Sequence, residues 1–212
     1  WLLSRLAQRI PKITTGKRIT IDLARRVRGT SIAALWRELS VRVGGGSQDS
    51  PAQIALRVRD CWKTQPVIFS FYNIHQMSEH YLQTLISEFW CPLVKDLTES
   101  PADEFPLILF LVDESGEVNV WSVPFAEAFD DKWCPDVPIK LPAVGRFTPE
   151  ILSGWIDNET ETLPLNMLNA PQQVVAEILA QSEDGVPELV LEYICTRCDH
   201  NWYEGADRWL SF

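Results

Sequence analysis

An α/β fold, with a parallel sheet under helices and then a small helical part, is what the pattern of apolar residues predicts. Three observations carry this. Val67 to Phe71 and Leu107 to Val112 are short, nearly continuous apolar runs, each following a proline, Pro66 and Pro106. Strands buried on both faces read this way. Between them, Ser78 to Leu97 sets Leu82, Leu85, Ile86, Phe89, Leu93 and Val94 at the 3.6-residue period of one long helix. Strand, helix, strand at this spacing is a βαβ unit with a right-handed crossover.

The other elements follow in order. Trp1 to Ile10 has helical spacing and is stopped by Pro11. Arg18 to Leu23 alternates strictly, with Ile19, Ile21 and Leu23 apolar, as a half-exposed strand does. Ser31 to Val43 gathers Ile32, Leu35, Trp36 and Leu39 on one helix face. Gly44-Gly45-Gly46-Ser47 is a flexible break. Pro51 to Lys63 is a second helix, with Pro51 suited to its first turn. Gly116 to Val123 and Ile139 to Leu141 are expected as two further short strands. Thr148-Pro149-Glu150 starts a helix: Thr148 caps it, Pro149 comes first and Glu150 favours the dipole. Helices over Gln172 to Gln181 and Pro187 to Cys198, and a last turn near Trp209, complete an all-helical tail. No internal repeat or low-complexity segment interrupts the order.

Composition narrows the functional class. The chain has 212 residues, 46% hydrophobic, which is enough for one domain or a domain with a small lobe. No run of about 20 apolar residues is present to span a membrane. The first residue is Trp1 rather than Met, so the chain reads as a segment or a processed product. Its opening is too short and too charged in its apolar stretch for a secretory leader. Five scattered cysteines, Cys61, Cys91, Cys134, Cys195 and Cys198, argue against a disulfide framework and for a reducing, cytoplasmic setting.

The net charge of −10 hides an asymmetry. Residues 1–65 hold 13 basic and 4 acidic side chains, the remainder 6 basic and 25 acidic. Such a division suits docking on an acidic partner or on another copy of the molecule. The acidic majority would repel phosphates and argues against nucleic acid.

Candidate chemistry is sparse. Cys195-Thr196-Arg197-Cys198 with His200 has metal-ligand residue types, but a structural zinc site needs a second pair of ligands, and helix-end cysteines are the simpler reading. His75 and His80 flank a strand-to-helix turn, the usual ligand edge of a parallel sheet. Asp113-Glu114-Ser115-Gly116 lies at the corresponding edge of the next strand. Paired carboxylates serve acid–base work, but Asp-Glu-Ser-Gly is also ordinary turn chemistry. No Ser/His/Asp or Cys/His order stands out. Of nine tryptophans, Trp36, Trp62, Trp90 and Trp155 fall on apolar helix faces, whereas Trp121, Trp133 and Trp202 sit in loop-like stretches suited to interface anchors.

The order of elements resembles a P-loop NTPase of the AAA+ and STAND kind, with the α/β sheet first and a helical lid second. Pro66-Val67-Ile68-Phe69-Ser70-Phe71-Tyr72-Asn73 stands where the Walker B strand would be, and Phe105 to Asp113 where the sensor strand would be. Ile139-Lys140-Leu141-Pro142, followed by Phe147 to Ile156 with its Trp155-Ile156 ending, is similar to the STAND pattern of a short strand and a lid helix. Val186-Pro187-Glu188-Leu189-Val190 resembles the later lid helix, with Gly185 one residue off the usual Gly-Pro pair. More narrowly, the chain is similar to inactive STAND domains of bacterial, especially cyanobacterial, signalling and conflict proteins. ATP hydrolysis needs Mg²⁺ held by an acidic group at the end of the Walker B strand. Here that strand ends Tyr72-Asn73-Ile74-His75, with no acid before Glu79. Phosphates need a glycine-rich loop with Lys and Ser/Thr. Gly16-Lys17-Arg18 lacks the preceding glycine and the following hydroxyl, and Gly44 to Ser47 has no lysine. In this fold the phosphate loop would lie just before Trp1.

The resemblance implies a degenerate P-loop NTPase-like α/β part over residues 1–146 and a helical lid-like part over 147–212. It implies a non-catalytic signalling module with no catalytic, cofactor-binding or metal-binding residues. Its partners would be a protein, an effector domain of the same system, or a second copy. The alternative is an ATP/ADP-binding switch whose phosphate loop lies upstream.

Overall fold

The computed structural model describes residues 10, 15–24, 31–95, 105–161 and 163–199. The helix expected over Trp1 to Ile10 (Ile10 apart), His200, Trp202 and the turn near Trp209 lie outside these. The chain divides into two compact units between Leu141 and Pro142.

The first unit is built on a three-stranded parallel sheet in the order β1 (Lys17–Asp22), β2 (Val67–Tyr72), β3 (Leu107–Leu111). Its register follows from the two-residue period of a strand. Ile19 pairs with Phe69 and Phe69 with Leu109; Ile21 pairs with Phe71 and Phe71 with Leu111. These residues share one face and enter the main core. Ile68, Ile108 and Phe110 alternate to the opposite face, where Ile10 packs with them. Each buried phenylalanine or isoleucine contributes roughly 1.5–3 kcal/mol of transfer free energy, so a one-residue slip would cost several such groups at once.

Helices α1 (Ile32–Arg42) and α2 (Pro51–Trp62) occupy the connection from β1 to β2. Ser31 caps α1 by accepting from the Ala34 N–H. Ser50 and Gln53 form a reciprocal capping box on α2, with Pro51 in its first turn. The glycine stretch between them is ordered, which corrects its reading as a flexible break. The Ser40 hydroxyl lies 2.6 Å from the Gly46 carbonyl and 2.7 Å from Asp49 Oδ2, its one proton shared between these acceptors, and the Gly46 N–H donates to the same carboxylate oxygen at 3.0 Å. A Cβ on Gly45 would stand 2.1 Å from Asp49 Oδ2, so only glycine lets the carboxylate come this close. At the far end of α2, the Trp62 indole donates to the Phe105 carbonyl at 2.6 Å, tying the helix to the start of β3.

The single long helix expected over Ser78 to Leu97 is three segments within the described residues: α3 (Glu79–Leu85), a π turn (Ile86–Trp90) and α4 (Cys91–Lys95). Pro92 supplies the reason. It has no N–H to give to the fourth carbonyl before it, and its ring crowds that carbonyl. The turn widens, and the Cys91 N–H bonds Ile86 O, five residues back. The apolar set survives the change: Leu82, Leu85, Ile86, Phe89, Trp90, Leu93 and Val94 are all buried. Phe89 meets Phe69 edge-on, with ring centroids 5.4 Å apart.

Two expected strands are not strands. Over Gly116 to Val123 the chain makes a 3₁₀ turn, Glu117–Val120, because Asp113 draws the backbone in. Over Ile139 to Leu141 only Ile139 forms a bridge, with Ala126. Pro138 and Pro142 flank this stretch and have no N–H for a ladder.

The second unit carries α5 (Pro149–Asn158), α6 (Leu165–Leu168), α7 (Pro171–Gln181) and α8 (Pro187–Arg197). Leu152, Ile156, Met167, Val174, Val175, Ile178 and Val190 form its own core. Thr148 caps α5, with Pro149 first. Gly185 adopts φ +90° and holds Phe147 through the Phe147 N–H to Gly185 carbonyl bond at 2.8 Å. Arg197 pairs with Glu177, so the last turn of α8 is held to α7. Among the described residues no helix is long and apolar enough to cross a membrane.

Candidate functional site

Parallel strands bring their carboxyl ends to one edge, and in open α/β sheets that edge is where ligands sit. Asp22, Asn73 and Asp113 stand at the ends of β1, β2 and β3. Asn73 takes a left-handed conformation, φ 58°, which asparagine tolerates better than most residues. Its amide donates to Asp22 Oδ1 at 2.9 Å, and the same oxygen accepts the Ala24 N–H at 2.9 Å. The side chain in the metal-holding place of the Walker B strand is therefore a neutral amide engaged with the neighbouring strand.

After Asn73 a 3₁₀ turn, Ile74–Gln76, carries His75 to the end of β3. His75 Nδ1 lies 3.3 Å from Asp113 Oδ1, but is out of line for a hydrogen bond. Asp113 is occupied elsewhere. Oδ1 accepts from the Ser115 N–H and hydroxyl, each at 3.0 Å, and Oδ2 accepts from the Val118 N–H at 2.9 Å. Burial pushes the Asp113 carboxyl up, but the donors from Val118, Ser115 and Gly116 together hold it below its ordinary value. A carboxylate so held is a poor proton carrier near neutrality. Asp-Glu-Ser-Gly thus does turn work: it closes the loop after β3. Glu79 is also engaged, accepting the Ser122 N–H at 2.7 Å and the Gln83 amide at 3.3 Å.

The other sequence candidates fall apart in space or into structural roles. His80 is exposed on α3 with its ring 6.1 Å from Tyr81. Cys195 and Cys198 end α8, both half-buried; burial pushes both thiols up, with Cys198 adding to the effect at Cys195 and Asp199 at Cys198. Among the described residues no three His, Cys, Asp or Glu side chains converge to hold a metal. In the Gly44 to Ser47 turn, the Gly46 N–H is taken by the Asp49 carboxylate, so the glycines serve the turn itself. Trp62 and Trp90 are buried as expected of core residues, while Trp36 and Trp155 are half-buried. Asp22 and Glu79 were not singled out from the sequence. The signal available for Asp22 was an acid closing a strand directly opposite the Walker B-like end.

A family model for inactive STAND domains matches residues 1–113, just over half the chain. The chain belongs to the inactive STAND family. No curated protein and no solved structure matches it. For an inactive STAND domain, the sheet edge has a coherent logic. The groups left where hydrolytic machinery would stand close loops and link strands. The module is non-catalytic, a degenerate P-loop NTPase-like sheet followed by a helical part.

Proposed function

We propose that this inactive STAND module passes a signal by docking, within a multidomain bacterial defence or signal-transduction protein of the cytoplasm. Its partner is a protein, an effector domain of the same system or a second copy of the chain. In this reading residues 1–146 are the degenerate α/β part and residues 147–212 a lid-like part. One observation carries it. The Asn73 amide is spent on Asp22 and both Asp113 oxygens are spent on the following loop, so the catalytic edge has become a structural clasp. The charge division between residues 1–65 and the remainder supplies a physical means of association.

Calorimetric titration of ATP–Mg²⁺ and of ADP into the protein tests this reading. The expected result is no heat of binding at millimolar nucleotide. Saturable binding would replace docking with a nucleotide-regulated switch.

A further inference from the structure

The stretch from Trp121 to Leu141 leaves the sheet and forms no regular element beyond one bridge, yet it is firmly attached. The Trp90 indole donates to the Pro135 carbonyl at 2.8 Å, and the Cys91 thiol lies 3.6 Å from the Asp136 carbonyl. Within the stretch, the Trp133 N–H bonds the Asp130 carbonyl at 3.0 Å and the Val137 N–H bonds the Cys134 carbonyl at 3.0 Å. The Trp133 indole is fixed by its own bond to the Val137 carbonyl at 2.8 Å. These turns enclose an open cleft of 610 Å³, lined by Glu127, Asp130, Trp133, Cys134, Asp136 and Val137 among others.

Asp136 sets the cleft apart from the sheet edge. Its Oδ1 is buried and receives no hydrogen bond among the described residues. Its charge is felt inside: after burial, Asp136 is the next cause that pushes the Cys91 thiol up. Asp136 also lines the cleft, so a cation placed there against the accessible part of this carboxylate offsets a charge that has no donor at Oδ1. Glu127 and Asp130 add two acids to the lining, against the one base Lys132. Beside them Phe129, 76% exposed, lies 5.1 Å from the Trp133 ring. A metal ion would need the acids to converge, and they do not. A planar guanidinium fits better. It is weakly hydrated, stacks on an indole face and gives several N–H donors to a carboxylate.

We propose that this cleft, built on Trp133 and Asp136, receives an arginine side chain from a basic segment of a partner protein. The proposal rests on the docking reading and names the chemistry of its partner. The charge of the loop agrees: residues 121–141 hold Glu127, Asp130, Asp131 and Asp136 against Lys132 and Lys140, so a basic segment is drawn to it.

Cys134 provides the readout. It lines the cleft and is the exposed cysteine of the five, the others being half-buried. The probe is a short acetylated, amidated peptide with two arginines, compared with the same peptide carrying citrulline. Alkylation of Cys134 by iodoacetamide is followed by mass spectrometry in the native chain and in Asp136→Asn. The arginine peptide is expected to slow alkylation saturably and the citrulline peptide to leave it unchanged. Asp136→Asn is expected to raise the half-protecting concentration about tenfold, the worth of one charge-assisted pair. Equal protection by citrulline, no protection by arginine, or an unchanged Asp136→Asn would each overturn the assignment. The citrulline comparison uses the native chain, so it decides even if the variant does not fold. Nucleotide titration of the same sample separates the two levels. A chain ignoring both nucleotide and peptide overturns the cleft alone; one that binds nucleotide overturns the docking reading beneath it.

Discussion

Asp113 and Asp136 are both half-buried acids in loops of the same unit, and their surroundings are opposite. Asp113 receives three hydrogen bonds from residues two to five places ahead of it. Asp136 has a buried oxygen with no donor among the described residues. The backbones explain the contrast. After β3 the chain turns sharply, and its free N–H groups need an acceptor, which the carboxylate provides. The loop around Asp136 is instead held through main-chain carbonyls, at Pro135 and Asp136, by donors from Trp90 and Cys91. Anchoring through carbonyls leaves side chains available. The first region has used its carboxylate to make a fold; the second leaves its carboxylate, half-buried at the edge of the cleft, without an internal donor at one oxygen.

Replacing each acid by alanine gives the largest test of this contrast. Asp113→Ala leaves the Ser115 and Val118 N–H groups without their acceptor and is expected to cost about 2–3 kcal/mol in urea unfolding. Asp136→Ala removes an unsatisfied oxygen and is expected to fall within about 0.5 kcal/mol of native, or to stabilise. Similar losses at both positions would erase the distinction. A smaller effect is expected from Trp90→Phe, which keeps most of the buried ring but loses the bond to Pro135. About 1 kcal/mol should be lost, and amide exchange should quicken around Trp133 and Val137 before it does in β2.

The smallest effect is the pH response. The folded Asp113 carboxyl sits below its ordinary value, and Asp49 does so too, held chiefly by the Ser40 hydroxyl against burial. A depressed folded value contributes stability above the unfolded value of about 4, lost as pH falls through the folded one. Unfolding free energy should therefore be insensitive to these groups from about pH 7 to 5 and should fall below about pH 4. Asp113→Asn should make that acid limb shallower; an unchanged limb would mean the loop donors do not hold the charge.

The sheet was legible in the sequence because its signals are local. Pro66 and Pro106 mark where β2 and β3 begin, and the apolar alternation of Ile19, Ile21 and Leu23 gives β1 its buried face. Capping at Ser31, Ser50 and Thr148 was equally readable, since each places a hydroxyl before a helical period. What was not legible depends on distant partners. Nothing near Gly116 predicts a 3₁₀ turn unless Asp113 is known to reach Val118. The break at Pro92 was hidden by an apolar period that continues through it. At the site, the missing acid after Tyr72 was plain, but the Asn73 to Asp22 bond spans 51 residues and needs the β1–β2 register. Asp136 was silent for the same reason: its anchors, Trp90 and Cys91, lie 45 residues earlier.

The π turn at Ile86–Trp90 carries a consequence for descent. Such a turn is equivalent to one residue inserted into an α-helix, tolerated because the ladder re-forms on either side. Each residue of an α-helix turns the chain by about 100°. A relative lacking that one residue would present the position of Trp90 a third of a turn away, with the indole no longer aimed at Pro135. In this chain, the one extra residue of the π turn therefore decides whether the Trp90 indole reaches the loop that bears the acidic cleft at all.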